Sequence, residues 1–160
     1  MTSEIELIWH RVKDSIEPDF SLFEELEVED DGIEFLKMTI SDEGSSIGHA
    51  CRATHVAAMM GKDGLEAVNA ALTHSSPDVR AAAAYAIGVY PSEFESDALV
   101  KFAQSEKNAS VLATLLSVLA KLSVEDAAII LEAVRSNPNL DSALQKTFDL
   151  ASKGIEQRRK

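Results

Sequence analysis

Residues Pro77 to Tyr90 read PDVRAAAAYAIGVY, and this stretch decides the fold of the chain. Ser76 is predicted to cap a helix here, because a serine hydroxyl can accept a hydrogen bond from a free amide of the first turn. Pro77 then falls at the first helical position, where a missing N–H costs nothing. One apolar stripe recurs at three- and four-residue spacing: Val79, Ala82, Ala83, Ala86, Ile87 and Tyr90. The pattern predicts a short, alanine-rich helix that lets neighbouring helices approach closely.

The preceding segment predicts a partner for this helix. Gly64 to Thr73 carries an apolar face, and His74 to Ser76 is a short polar turn. The two helices make a hairpin of roughly thirty residues, a size typical of repeat units. Segments of a similar shape recur in ungapped frames at Arg52–Gly61 and Asn108–Leu122, and more weakly at Asn139–Ser152.

The segment SPDVRAAAAYAIG resembles the second helix of a HEAT-type repeat, in which a proline or polar turn precedes Asp-Val-Arg, alanines and a final Ile-Gly. The resemblance implies an all-α, right-handed α-α superhelix of about four helical hairpins. Residues 1–160 are then a single domain. Residues 1–32 form an acidic N-terminal helical cap, 33–154 the HEAT-like repeats, and 155–160 a polar tail.

The N-terminal segment predicts a capped helix followed by an acidic run. Ser3 and Glu6 have the spacing of a capping box, and apolar residues follow at helical spacing as far as Ile16. The run EELEVEDD then covers residues 24–31, and it lacks the spacing of a calcium-binding loop. We interpret it as a solvated acidic turn; the functional alternative is an electrostatic patch for a cationic partner. The acids of that patch would be Glu27, Glu29, Asp30 and Asp31.

Charge is distributed unevenly along the chain. The net charge is −12, of which residues 1–48 contribute −11 through 14 acids and 3 bases. Binding of nucleic acid needs a basic patch, so this distribution argues against a nucleic-acid partner. It favours a basic protein partner. The alternative is that an acidic cap keeps a helical stack soluble.

Composition also bears on location. Cys51 is the only cysteine, so no disulfide can form within the chain, which fits a reducing compartment. The N-terminus lacks the pattern of a signal peptide, and no stretch approaches the roughly eighteen apolar residues of a membrane span. We therefore expect a cytoplasmic protein that does not interact with membranes.

Cys51 and His55 are the one pair with possible chemistry. They are four residues apart, so they share a helix face and could form a thiolate–imidazolium pair or contribute two metal ligands. A zinc site needs more ligands than this face offers, and a nucleophile needs an orienting group. We interpret them as packing residues and predict no catalytic, cofactor or metal site. Resemblance to the helical-repeat enzymes, the alkylpurine DNA glycosylases and the phycobilin lyases, is the weaker alternative.

The predicted binding surface lies on the second helix of each hairpin, since these helices line the inner face of a helical solenoid. Tyr85 falls outside the apolar stripe, and an exposed tyrosine is a typical interface anchor. The candidate patch comprises Arg52, Thr54, Arg80, Tyr85 and Ser117. The alternative is that Tyr85 only covers neighbouring alanines.

A small, acidic, cysteine-poor domain of this kind resembles bacterial immunity proteins, which bind and neutralise a cognate toxin that is often a basic nuclease. The expected function is thus a non-catalytic protein–protein interaction module. A structural or adaptor subunit of an oligomeric complex is the alternative from another class.

Overall fold

The chain is entirely helical in the part that the structure describes. A computed structural model describes residues 2–24, 26–27, 29–90 and 96–160. These residues contain nine α-helices and no strand. The helices are α1 (Glu4–Val12), α2 (Asp30–Ser41), α3 (Ile47–Met59), α4 (Leu65–Leu72), α5 (Pro77–Val89), α6 (Ser96–Ser105), α7 (Ala109–Val118), α8 (Val124–Arg135) and α9 (Ser142–Arg158). Short 3₁₀ turns lie at Phe20–Phe23, Gly61–Gly64 and Leu119–Lys121.

Most of the helix starts follow from local side-chain caps. A side-chain oxygen just before the helix accepts a backbone N–H from the first turn in α1, α3, α7, α8 and α9, where the caps are Ser3, Ser46, Asn108, Ser123 and Asp141. Ser76 occupies the N-cap position of α5 as predicted, but its hydroxyl makes no capping bond. Instead, its backbone N–H donates to His74 Nδ1 at 2.9 Å.

Neighbouring helices build the core together. In the described part of the chain, every extensive helix–helix contact joins helices one or two positions apart. Among the even-numbered helices, α2 contacts α4 and α6 contacts α8. Among the odd-numbered helices, α3 contacts α5, α5 contacts α7, and α7 contacts α9. A continuous hydrophobic core runs from Ile5 in α1 to Ile155 in α9.

Gly64 and Gly88 allow close approaches between segments. A Cβ added at Gly64 would lie 1.7 Å from the carbonyl oxygen of Ala57, so the end of α3 and the start of α4 can meet only around a glycine. A Cβ at Gly88 would lie 2.6 Å from the Cβ of Val118, which places α5 directly against α7.

The side chains of Arg52, Asn137 and Arg158 donate hydrogen bonds to backbone carbonyls at the ends of other helices. Arg52 donates to the carbonyls of Val12 and Lys13 after α1, at 3.0 and 2.6 Å. Asn137 donates to Ala103 and Glu106 at the end of α6, and Arg158 donates to Leu119 and Leu122 after α7. The last carbonyls of a helix have no partner within it, so each contact satisfies acceptors that would otherwise need water.

The bounds of three helices, α1, α2 and α9, differ from those predicted from the sequence. Helix α1 ends at Val12, so Ile16 lies outside it and is 96% exposed. Asp30 and Asp31 were expected in an acidic loop, but they lie in the first helical turn of α2. Negative charge is favourable at this end of a helix. Residues 155–158, expected as a tail, continue α9, because Ile155 is buried and Arg158 is bound to the end of α7. Glu25 and Val28 of the acidic run lie outside the described residues.

Candidate protein-binding surface

An exposed face of α5 and α7 carries a groove beside Tyr85. Tyr85 is 58% exposed, and Val89 lies one turn further along α5 and is also exposed. The groove has a volume of about 350 Å³ and is lined by Tyr85, Gly88, Val89, Ser117, Val118 and Lys121. Gly88 allows α7 to come close, so the floor of this α5–α7 groove is the contact between the two helices.

The α5–α7 groove is almost free of charge. Helix α7 reads ASVLATLLSV and contains no charged residue, and the charges of α5, Asp78 and Arg80, both lie in its first turn. None of the described residues that line the groove is acidic, and Lys121 stands at its edge. In a chain with 26% charged residues, an uncharged face with an exposed aromatic side chain has the composition of an interface core.

The structure brings together two of the five residues of the predicted patch. Tyr85 and Ser117 line the same groove. The other three make contacts within the fold. Thr54 is fully buried, and its hydroxyl donates to the carbonyl of Ala50 at 2.8 Å. The prediction that Thr54 lies on the surface was therefore wrong. Arg52 holds the end of α1, as described above.

Arg80 is also bound within the fold, through an ion pair and two backbone carbonyls. Its Nε and Nη2 atoms donate to Glu106 at 2.7 and 3.0 Å, and its Nη1 donates to the carbonyls of His74 and Ser75 after α4. Ala84, expected outside the apolar stripe, is buried as well. The helix period alone misplaced these residues because helices pack on more than one face of α3 and α5.

The four predicted acidic residues are all exposed. Glu27, Glu29, Asp30 and Asp31 face solvent, and Asp30 opens onto a groove of about 260 Å³ beside α2. The other residues that line this groove are Ile33, Glu34, Lys37, Asp63 and Glu66. Lys37 lies between Glu66 and Glu34, at 3.1 and 3.3 Å, and hydrogen bonds to these two carboxylates raise its pKa. A single lysine among four carboxylates leaves the groove negative.

A second acidic groove was missed by the sequence analysis. It has a volume of about 490 Å³ and lies between the α2–α3 turn and the α4–α5 turn. Asp42, Glu43 and Asp78 are exposed on its rim, and Ile47 and Pro77 supply apolar surface. The signal in the sequence is that Asp42 and Glu43 precede α3 and that Asp78 lies in the first turn of α5. Only the packing of α3 on α5 brings the two turns together.

Burial favours the neutral forms of both Cys51 and His55. Both are partly buried, and burial, reinforced by the negative charge of Asp78, raises the pKa of the Cys51 thiol. Burial lowers the pKa of His55, so both groups favour their neutral forms. His55 instead packs between Phe20 and Tyr90, with ring centroids 4.6 and 5.5 Å away. The described residues contain no group of three or more His, Cys, Asp or Glu side chains arranged to hold a metal ion.

Comparisons with protein families, curated proteins and solved structures find no match to this chain. In the described part of the chain, no helix combines the length and the hydrophobicity needed to cross a membrane.

Proposed function

We propose that the chain is a HEAT-like, right-handed superhelix of four hairpins. The hairpins are α2–α3, α4–α5, α6–α7 and α8–α9. Helix α1, the 3₁₀ turn Phe20–Phe23 and the acidic residues before α2 form an N-terminal cap. The restriction of extensive contacts to helices one or two positions apart supports this arrangement, because stacked repeats contact mainly their neighbours.

The proposed function is a non-catalytic protein-binding module, of the kind that neutralises a basic toxin domain in the cytoplasm. The observation that carries it is the exposed side chain of Tyr85 beside the α5–α7 groove, whose one charged lining residue is Lys121 at its edge. Tyrosine supplies a large apolar area with few rotatable bonds and a hydroxyl that keeps a hydrogen-bond partner, which is why it anchors many interfaces. An apolar side chain of the partner would fill the groove against Val89 and Val118.

The acidic grooves give the expected charge of the partner. Three carboxylates on the rim of the larger groove stand beside the apolar surface of Ile47 and Pro77. A lysine or arginine side chain suits such a site, since its stem packs on apolar surface while its cation reaches the carboxylates. The acidic surface would speed the encounter with a cationic partner, and the α5–α7 groove would hold it.

The state of Cys51 and His55 supports a non-catalytic role. A cysteine nucleophile acts as the thiolate, which needs a lowered pKa, whereas burial raises the pKa of Cys51. His55 is occupied by its contacts with Phe20 and Tyr90.

Affinity capture with purified variants tests the proposal. Immobilised wild-type chain is expected to retain a basic protein from lysate of the native cells. Salt should weaken this retention, because it screens the exposed ion pairs between the partner and the acidic grooves. Tyr85→Ala should lose that protein, while Leu150→Ala, a change at an exposed apolar residue of α9, should retain it. Retention of the same protein by Tyr85→Ala, or a captured partner that is acidic, would contradict the proposal.

A further inference from the structure

The even-numbered helices leave an opening between α4 and α6. Helix α2 packs on α4 and α6 packs on α8, but among the described residues α4 and α6 make no extensive contact. Two adjoining grooves, of about 220 and 370 Å³, occupy this place and share Leu72, Thr73, Phe102 and Ser105. We call the combined feature the α4–α6 groove.

The α4–α6 groove has an apolar floor and polar walls. Leu72 and Phe102 are buried and form the shared floor, whereas Thr73 and Ser105 are exposed beside them. The hydroxyls of Thr73 and Ser105 already donate to carbonyls of their own helices, those of Ala70 and Lys101. Their oxygens therefore face a ligand as hydrogen-bond acceptors.

The charge of this groove is opposite to that of the whole chain. Lys101 and Lys107 are exposed at its walls, and neither has a carboxylate within 4.0 Å among the described residues. The carboxylate that lines it, Glu106, is bound by Arg80 and accepts the backbone N–H groups of Lys107 and Asn108. Asp97 lies one turn before Lys101 on α6 but does not line the groove. The groove is thus cationic in a protein of net charge −12.

An unsatisfied polar atom lies at one end of the groove. Asn69 lines it, and its Oδ1 atom is buried without a hydrogen-bond partner in the described structure. A buried acceptor without a donor costs free energy, and most such groups in folded proteins are paired. A peptide N–H in the groove, met by rotation of the Asn69 side chain, would supply the missing donor.

From these observations we propose that the α4–α6 groove binds an extended, acidic peptide segment of a partner protein. Its carboxylates pair with Lys101 and Lys107, an apolar side chain packs on Leu72 and Phe102, and a backbone N–H donates to Asn69. Lys101 lies on α6, and Lys107 follows the end of that helix at Ser105. This site is separate from the α5–α7 groove and does not rest on the function proposed above.

A fluorescently labelled, end-capped peptide of ten residues, with four glutamates around a central leucine, tests the proposal by fluorescence anisotropy. The wild-type chain is expected to bind it, and a peptide with glutamine in place of glutamate should not bind. Lys101→Gln combined with Lys107→Gln should weaken binding by about tenfold or more, because both ion pairs are lost. The matched control is Lys146→Gln with Lys153→Gln on α9, which removes the same charge from exposed positions and should leave binding unchanged.

Two further measurements complete the test. Asn69→Ala should weaken the binding of the glutamate peptide, and Tyr85→Ala should not. In spectra of the ¹⁵N-labelled chain, the peptide should shift amide signals of α4 and α6. Absence of binding, equal weakening by the two lysine pairs, or shifts confined to other helices would each overturn the proposal, and unchanged thermal unfolding of the variants excludes loss of folding as the cause.

Discussion

Arg80 on α5 and Glu106, which follows α6, form a two-pronged ion pair with N–O distances of 2.7 and 3.0 Å. The side chain of Glu106 is 2% exposed and that of Arg80 is 18% exposed, so the pair is largely shielded from water. It crosses the end of the α4–α6 groove, where the neighbouring helices make little contact of their own. Arg80 thereby joins α5 to the segment that follows α6, rather than serving as the surface residue that its sequence position indicated.

Replacing Glu106 by glutamine is expected to destabilise the fold by about 3 kcal/mol, because Arg80 keeps its charge but loses its counter-charge. Urea unfolding followed by circular dichroism measures the change. Glu132→Gln is the matched control: Glu132 pairs with Arg135 at 3.4 Å on the exposed surface of α8, and its loss should cost no more than about 0.5 kcal/mol. Equal effects of the two substitutions would show that the Arg80–Glu106 pair contributes nothing special.

The same pair predicts a dependence of stability on pH. Burial alone would raise the pKa of Glu106, but hydrogen bonds from Arg80, Asn108 and Lys107 outweigh it and hold the pKa below the ordinary value of 4.5. The unfolded chain therefore binds this proton first as the pH falls. The stabilisation is complete above about pH 4.5 and is lost as the pH falls towards the folded pKa. Free energies of unfolding between pH 3 and 6 should fall less steeply for Glu106→Gln than for wild type, and parallel curves would refute this account.

His55 predicts a second pH effect in a higher range. Burial lowers its pKa below the ordinary value of 6.5, so the unfolded chain takes up a proton that the folded chain resists. Stability should therefore decline as the pH falls from above 6.5 towards the folded pKa. The hydroxyl of Tyr90, a titratable group, lies 3.4 Å from His55 Nε2, and burial followed by the negative charge of Glu24 raises the pKa of Tyr90.

His55→Phe should remove this decline while keeping an aromatic ring beside Phe20 and Tyr90. Thermal unfolding of both proteins between pH 5 and 8 gives the comparison. A wild-type melting temperature that does not change over this interval would contradict the prediction.

Gly88→Ala should weaken the contact between α5 and α7. The new methyl group would lie 2.6 Å from the Cβ of Val118, so the helices must separate, at a cost of about 1–3 kcal/mol. Gly154→Ala in α9 makes the same chemical change in open space, and alanine there should stabilise the helix by up to about 1 kcal/mol. If chemical denaturation shows Gly88→Ala to be as stable as Gly154→Ala, the packing described for α5 and α7 is wrong.

The positions of the helices could be predicted because their signals are local. Ser46, Asn108 and Ser123 stand directly before helices, and apolar residues at helical spacing follow each of them. Burial raises the pKa of Cys51 and lowers the pKa of His55, which is consistent with the interpretation of both as packing residues. Their position on one helix face could be predicted because it depends only on their four-residue spacing.

Long-range contacts were not predictable in this way. The burial of Thr54 depends on the elements that pack around α3, and the continuation of α9 through Ile155 depends on the bond from Arg158 to the end of α7. The α4–α6 groove exists because α4 and α6 make no extensive contact in the described part of the chain. The sequence of neither helix predicts this. Periodicity gives the apolar face of a helix, but the neighbours decide how many faces are covered.

The equilibrium dissociation constant of the purified, captured basic partner tests the central claim most directly. Measured by calorimetry for wild type and Tyr85→Ala, it should rise about thirtyfold or more on substitution, because a central tyrosine anchor contributes about 2 kcal/mol or more. Leu150→Ala should leave it unchanged. Equal dissociation constants for wild type and Tyr85→Ala would contradict the assignment of the α5–α7 groove as the binding surface.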